Sequence, residues 1–223
     1  MDVLDKKTDK TDNKEAVKET IKEDIKLPEI KLFGKWSCDI PINDLGLKNY
    51  ITLKPKLLPR SAGAYRKRFH KSKTHIVERL ALHLMVPGHV GKKHRLTSGK
   101  LSGGFSKTLN IIEKAFEIME KKENKNPVEM FIRALENAAA REEITSYQMG
   151  SIIARDAVIT APQRRVDKTL RNFANGAYRR SFSSKKSIKQ TLAEELLAAY
   201  KGSNESAAIK EKERLEGEAS GSR

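Results

Sequence analysis

The chain reads as a mainly α protein: a six-helix bundle with a β-hairpin projecting between its third and fourth helices, preceded by an extended N-terminal arm. Apolar residues recur at helical spacing through most of the chain from Thr74 onward. That period lapses between Glu142 and Thr160, where Ile144, Tyr147, Ile153 and Ile159 suit strands better. Before Thr74, apolar residues are interrupted too often by proline and glycine for either regular structure.

Residues 1–26 hold seven lysines and eight acids and almost no large apolar groups. Such a segment cannot bury enough surface to offset its ordering entropy, which predicts a disordered charged tail. Residues 27–73 form the arm. It carries Phe33, Trp36, Ile40, Ile42, Leu45, Leu47 and Tyr50, of which the aromatics are its packing anchors, and Pro28, Gly34, Pro41 and Gly46 keep it irregular over a surface.

The helical region spans 74–220. Ile76, Val77, Leu80, Ala81 and Leu84 mark the first helix, with Thr74 as its cap and Pro87-Gly88 as its stop. Residues 89–106 form a Gly-, Lys- and Ser-rich loop, longer than compact domains usually tolerate without a use. Ile112, Ala115, Phe116 and Met119 mark the second helix. Asn126-Pro127 caps and opens the third, lined by Val128, Phe131, Ile132, Leu135 and Ala139. The hairpin occupies about 142–160, with Gly150 near its turn. Pro162 starts the fourth helix. Ser187-Ile188-Lys189-Gln190 has the spacing of a capping box for the fifth, which Gly202 stops, and Asn204 is placed to cap the last.

The fourth helix is the most informative. At about 100° per residue, Val166, Leu170, Phe173 and Ala177 share one arc, while Arg164, Lys168 and Arg171 share another nearly opposite. One side serves a core and the other an anion. The whole chain is basic, with 45 Lys+Arg against 29 Asp+Glu and a net charge of +16, and the excess is clustered. Lys54, Lys56, Arg60, Arg66, Lys67, Arg68, Lys71 and Lys73 occur with no acid among them. A second cluster, 92–107, includes Lys92, Lys93, Arg95 and Lys100. The third, 155–189, holds Arg155, Arg164, Arg165, Lys168, Arg171, Arg179, Arg180, Lys185, Lys186 and Lys189 against only Asp156 and Asp167. Charges this dense order best against phosphate, whose oxygens match arginine forks bidentately.

Other chemistries find no pattern. Gly99–Lys107 resembles a phosphate-cradling loop, but Gly104 is followed by Phe105, so the P-loop match fails. Cys38, His83 and His89 have the spacing of no zinc motif and lack a fourth ligand. Glu142-Glu143 and Glu194-Glu195 read as solvated faces, and no nucleophile–base arrangement stands out. No enzyme activity, metal or cofactor is expected. A lone cysteine excludes an internal disulfide framework and suits a reducing compartment. No apolar run reaches the roughly 20 residues needed to span a membrane, and the N-terminus lacks the apolar stretch of a secretory signal. A cytoplasmic protein with no membrane partner is expected. A bundle with scattered basic patches and no dimeric DNA-reading motif suits folded RNA better than a duplex major groove. The alternative is a nonspecific nucleic-acid chaperone or an architectural protein of the same charge pattern.

Several stretches, in order from about residue 31, resemble a known family. They are Leu32-Phe33-Gly34-Lys35-Trp36, Leu58-Pro59-Arg60-Ser61-Ala62-Gly63, Lys67-Arg68-Phe69, Ile76-Val77-Glu78-Arg79-Leu80 and Lys114-Ala115-Phe116-Glu117-Ile118. Asn126-Pro127, Arg141-Glu142-Glu143, Pro162-Gln163-Arg164-Arg165-Val166-Asp167, Leu192-Ala193-Glu194-Glu195-Leu196 and Ala208-Ile209-Lys210 continue the series. The chain resembles the family of small-subunit ribosomal protein seven in the universal numbering (protein five of the eukaryotic small subunit), in its archaeal and eukaryotic branch. The resemblance implies six helices with a long hairpin between the third and fourth, the order reached above. It implies binding to the 3′ (head) domain of small-subunit rRNA, help in head assembly, and neighbouring small-subunit proteins as partners. It places the hairpin tip, Tyr147, Gln148, Met149, Gly150 and Ser151, near the exit-site tRNA and the mRNA path. By the same resemblance Arg164, Arg165, Lys168, the 60–73 cluster and the 92–100 loop are rRNA contacts. By the same resemblance the 89–106 loop is longer than in eukaryotic relatives, though archaeal members carry insertions there, Ala140 stands where many relatives have proline, and the hairpin turn is less glycine-rich.

Overall fold

The computed structural model describes residues 30–61, 67–87, 89–90, 93–94 and 103–222. The charged tail 1–26 therefore lies outside the described residues. Lys31–Arg223 is one compact unit, and all that follows concerns it.

Six α-helices are described: α1 Ile76–Met85, α2 Phe105–Glu123, α3 Pro127–Ala138, α4 Pro162–Ser181, α5 Ile188–Tyr200 and α6 Ala207–Ser220. Two short strands, β1 His89–Val90 and β2 Lys93–His94, pair antiparallel within the stretch read from sequence as a loop. The hairpin is β3 Glu142–Met149 and β4 Ile152–Ile159, between α3 and α4, in register from Glu142 opposite Ile159 to Met149 opposite Ile152. Only Gly150 and Ser151 separate the strands. Gly150 has φ +62°, a value glycine adopts without steric cost at the first position of a two-residue hairpin turn.

Local signals set most helix ends. Asn126 accepts a hydrogen bond from the Val128 N–H, and Pro127 follows at the first helical position. The Ser187 N–H donates back to Gln190 Oε1 at 3.3 Å, as the capping box requires. Two ends differ from the sequence expectation. The cap of α1 is His75, whose Nδ1 accepts from the Val77 N–H, while Thr74 turns its hydroxyl back to the Lys71 carbonyl. The cap of α6 is Ser206, two residues beyond Asn204, accepting from the Ala208 and Ile209 N–H groups.

The core is built where the helices' apolar stripes meet. Ile76 and Leu80 of α1, Ile112 and Phe116 of α2, Phe131 and Leu135 of α3, Val166 and Phe173 of α4, and Leu192 and Leu196 of α5 are all fully buried. The arm goes deeper than a surface wrap. Leu32, Trp36, Leu47 and Ile51 are core residues. Trp36 stands edge-on to Phe116 at 5.8 Å between centroids, and its indole N–H reaches Glu120. An indole gains area and ring contact by entering the core, provided its N–H keeps a partner. Leu45, in contrast, stays exposed.

The hairpin leaves this core. At its base the Arg141 N–H donates to Glu216 of α6, and the Thr160 N–H closes onto the Arg141 carbonyl. Beyond the base, Tyr147, Met149, Ile152 and Ile153 are exposed.

Candidate nucleic-acid interface

Two basic segments far apart in sequence meet in the structure. The single-turn 3-10 helix His70–Lys73 packs beside α4. There Asp167 of α4 accepts from Lys71 Nζ at 2.6 Å and from Arg79 Nη2 of α1 at 2.9 Å. Ser72 also donates through its hydroxyl to Gln163. One carboxylate thus ties together the 3-10 turn, α1 and α4. Burial would raise the Asp167 pKa, but the hydrogen bonds and charges of Lys71 and Arg79 outweigh it and hold the carboxyl below its ordinary range. Around this junction Lys67, Arg68, Lys73 and Arg171 stay exposed, and Arg60 is exposed further back on the arm.

Arg79 is the residue sequence reading passed over. It is 1 % exposed, with Nη1 donating to the Tyr50 carbonyl at 2.8 Å. Its signal was present, since a charged residue inside the apolar stripe of a helix demands a buried partner. Nothing local names Asp167 as that partner, 88 residues away.

The cations of α4 divide by environment. Arg164 is largely exposed and pairs with Glu143 at 2.7 Å, and Lys168 also reaches Glu143. Burial would raise the Glu143 pKa, but hydrogen bonds from Lys168 and Arg164 reverse the effect and keep it ionised. Glu143 lies on β3, so these bonds mount the hairpin on α4. Arg165 turns inward instead. Its side chain is 11 % exposed, paired to Asp44 of the arm at 2.8 Å and donating to the Ala140 carbonyl at 3.1 Å. Ala140 thus contributes its carbonyl to holding Arg165. Arg179 is exposed. Arg180 joins the buried Glu195 at 3.4 Å, Lys186 pairs with Glu194 at 2.9 Å, and Lys185 is exposed.

On the hairpin, Arg155 is exposed opposite Ser146. The tip residues Tyr147, Gln148, Met149, Gly150 and Ser151 are all exposed, and Gln148 donates to the Gly150 carbonyl. Arg66, Lys92, Arg95 and Lys100, with the Lys93 side chain, lie outside the described residues. So do residues 99–102 of the Gly99–Lys107 stretch. Among the described residues, no group of three or more His, Cys, Asp or Glu side chains is arranged to hold a metal. The surface supplies fixed cations and donors, the means for holding phosphate.

The model of the family described as ribosomal protein S7p/S5e matches residues 47–223. The chain belongs to this family. A small ribosomal subunit protein uS7 of Nanoarchaeum equitans is 45 % identical over 190 residues, covering 84 % of this chain and 96 % of that protein. Its counterpart in Methanococcus vannielii is 42 % identical over 192 residues, covering 84 % of this chain and 93 % of the relative. The likeness to the archaeal and eukaryotic branch, read from short motifs, is met by these two archaeal relatives across most of the chain. Members of the S7p/S5e family are ribosomal proteins and not enzymes. No helix among the described residues is long and apolar enough to cross a membrane.

Proposed function

We propose that the chain is a structural component of the small ribosomal subunit. It binds the 3′ domain of small-subunit rRNA, helps assemble the subunit head, and acts in the cytoplasm with rRNA and neighbouring small-subunit proteins as partners. One observation supports this reading above the rest: Asp167 and the Ser72–Gln163 bond join two acid-poor segments into one surface with several exposed cations. Closely spaced phosphates repel as RNA helices fold together, and fixed cations on one face offset that repulsion. The hairpin, mounted on α4 through Glu143 and bare at its end, is the part that reaches toward exit-site tRNA and the mRNA path.

The test compares binding to the 3′ domain transcript with binding to a length-matched unrelated RNA across a salt series. The proposal expects a preference for the cognate transcript that persists as salt rises, because shape recognition survives screening better than phosphate attraction alone. Equal binding that collapses with salt would favour a nonspecific nucleic-acid chaperone.

A further inference from the structure

A cavity of about 460 Å³ opens between the 3-10 turn and α1, lined by Lys67, Phe69, Lys71, Arg79, Leu82 and His83. Its volume falls within the range typical of small-ligand sites. Phe69 and Leu82 are both exposed, an aromatic face and an aliphatic one at the same opening. Phe69 holds φ +62°, a backbone conformation that bulky residues seldom adopt, and the Arg68 guanidinium sits 5.7 Å from its ring centroid. In the wall, the buried Arg79 has a donor, Nε, with no hydrogen-bond partner. Burial pushes the His83 pKa down to about 4, against the smaller pull of Asp167, so its imidazole is neutral and offers one donor and one acceptor.

We infer that this cavity receives one unstacked nucleotide of an RNA partner, its base against Phe69 and Leu82, its edge facing His83, and its phosphate between Lys67 and Lys71. The charges at the site are Lys67, Lys71 and Arg79 in its lining, Asp167 bonded to the last two, Arg68 beside the Phe69 ring, and Arg171, whose charge acts on His83. The local balance stays positive. An acidic peptide would satisfy the cations but leave the aromatic face and the His83 edge without a role. A base with its phosphate uses all of them, and unpaired bases are what proteins read in RNA. The inference rests on the rRNA-binding function proposed above.

The test uses the full chain and the 3′ domain transcript, with affinity measured across a salt series and base reactivity mapped by chemical probing. Base stacking on an aromatic side chain is typically worth about tenfold or more in affinity. Phe69→Ala is expected to weaken binding about tenfold with the salt slope unchanged, since no charge is lost, and to restore reactivity at one base that the wild type protects. Phe69→Trp is expected to keep both affinity and protection. Phe69 is 65 % exposed, so the alanine variant should melt with the wild type. Equal affinity and an identical reactivity map for Phe69→Ala, with the wild type binding its cognate RNA, would overturn the nucleotide site and leave the rRNA-binding function intact. A photo-crosslinker at position 69 that joins a protein instead of RNA in reconstituted subunits would overturn it too. Loss of cognate preference in the wild type itself would overturn both.

Discussion

The two ends of the hairpin are built on opposite plans. At the base Glu143 is gripped by Arg164 and Lys168 of α4, and the Arg141 N–H is tied to Glu216 of α6, so the root of the hairpin is fixed to two helices. At the tip Met149, Ile152 and Ile153 lie open with no helix behind them. A charge locked to a carboxylate resists motion and forfeits part of its attraction for phosphate. An unpartnered apolar tip does neither. The same contrast runs along α4, where Arg165 is spent on holding the arm and Arg171 is left to solvent. The chain's basicity therefore divides into cations that build the fold and cations that remain for a polyanion.

Substitutions can separate the two roles. Asp167→Ala removes the one carboxylate bonded to the buried Arg79 among the described residues and should destabilise the fold by about 3 kcal/mol, because an uncompensated buried charge is left behind. Chemical denaturation would measure it, and a loss below about 1 kcal/mol would show that Arg79 finds another partner.

Acid should act on a comparable scale. Burial, aided by the Lys56 charge, lowers the His75 pKa to about 4. Above about pH 6.5 both folded and unfolded chains hold this imidazole neutral, and no difference arises. As pH falls through that value the unfolded chain takes up a proton that the folded one refuses. Stability is therefore lost between about pH 6.5 and about pH 4, by up to about 3 kcal/mol, and His75→Gln should flatten that part of the profile. Protonation would also remove the acceptor that caps α1.

Arg165→Ala should cost about 2 kcal/mol of stability through lost charge-assisted bonds to Asp44 and the Ala140 carbonyl. Arg171→Ala, at an exposed position of the same helix, should leave the melting temperature almost unchanged. Equal losses for the two variants would erase the distinction between building and binding cations. Smallest of all, Ile152→Ser with Ile153→Ser should shift stability by less than about 0.5 kcal/mol, as expected for exposed positions. A clear loss in thermal melting would mean that the tip packs against something within the chain.

Elements and their order were legible because helices and hairpins advertise themselves locally. Asn126-Pro127, the Ser187–Gln190 box and Gly150 each act within a few residues, and the structure uses all three. The two misplaced caps show the limit of such signals. Thr74 and His75 are adjacent acceptors, and only the turn before α1 decides which one faces the helix. The arm's burial was illegible since an irregular segment has no period to reveal which side is inward. The site was half legible. Cation clusters stand out in sequence, but pairing Lys71 and Arg79 with Asp167, or Arg165 with Asp44, is a tertiary event between distant positions.

The most direct test is a salt titration of binding to the 3′ domain transcript for the wild type, Arg68→Ala, Arg171→Ala and the double variant, with the RNA footprint of each. If the 3-10 turn and α4 form a single phosphate-binding face, each substitution lowers the salt slope by about 1, the double variant lowers it by about 2, and all footprint losses fall in one RNA region. Unchanged slopes, or losses in unconnected regions for the two single variants, would contradict it.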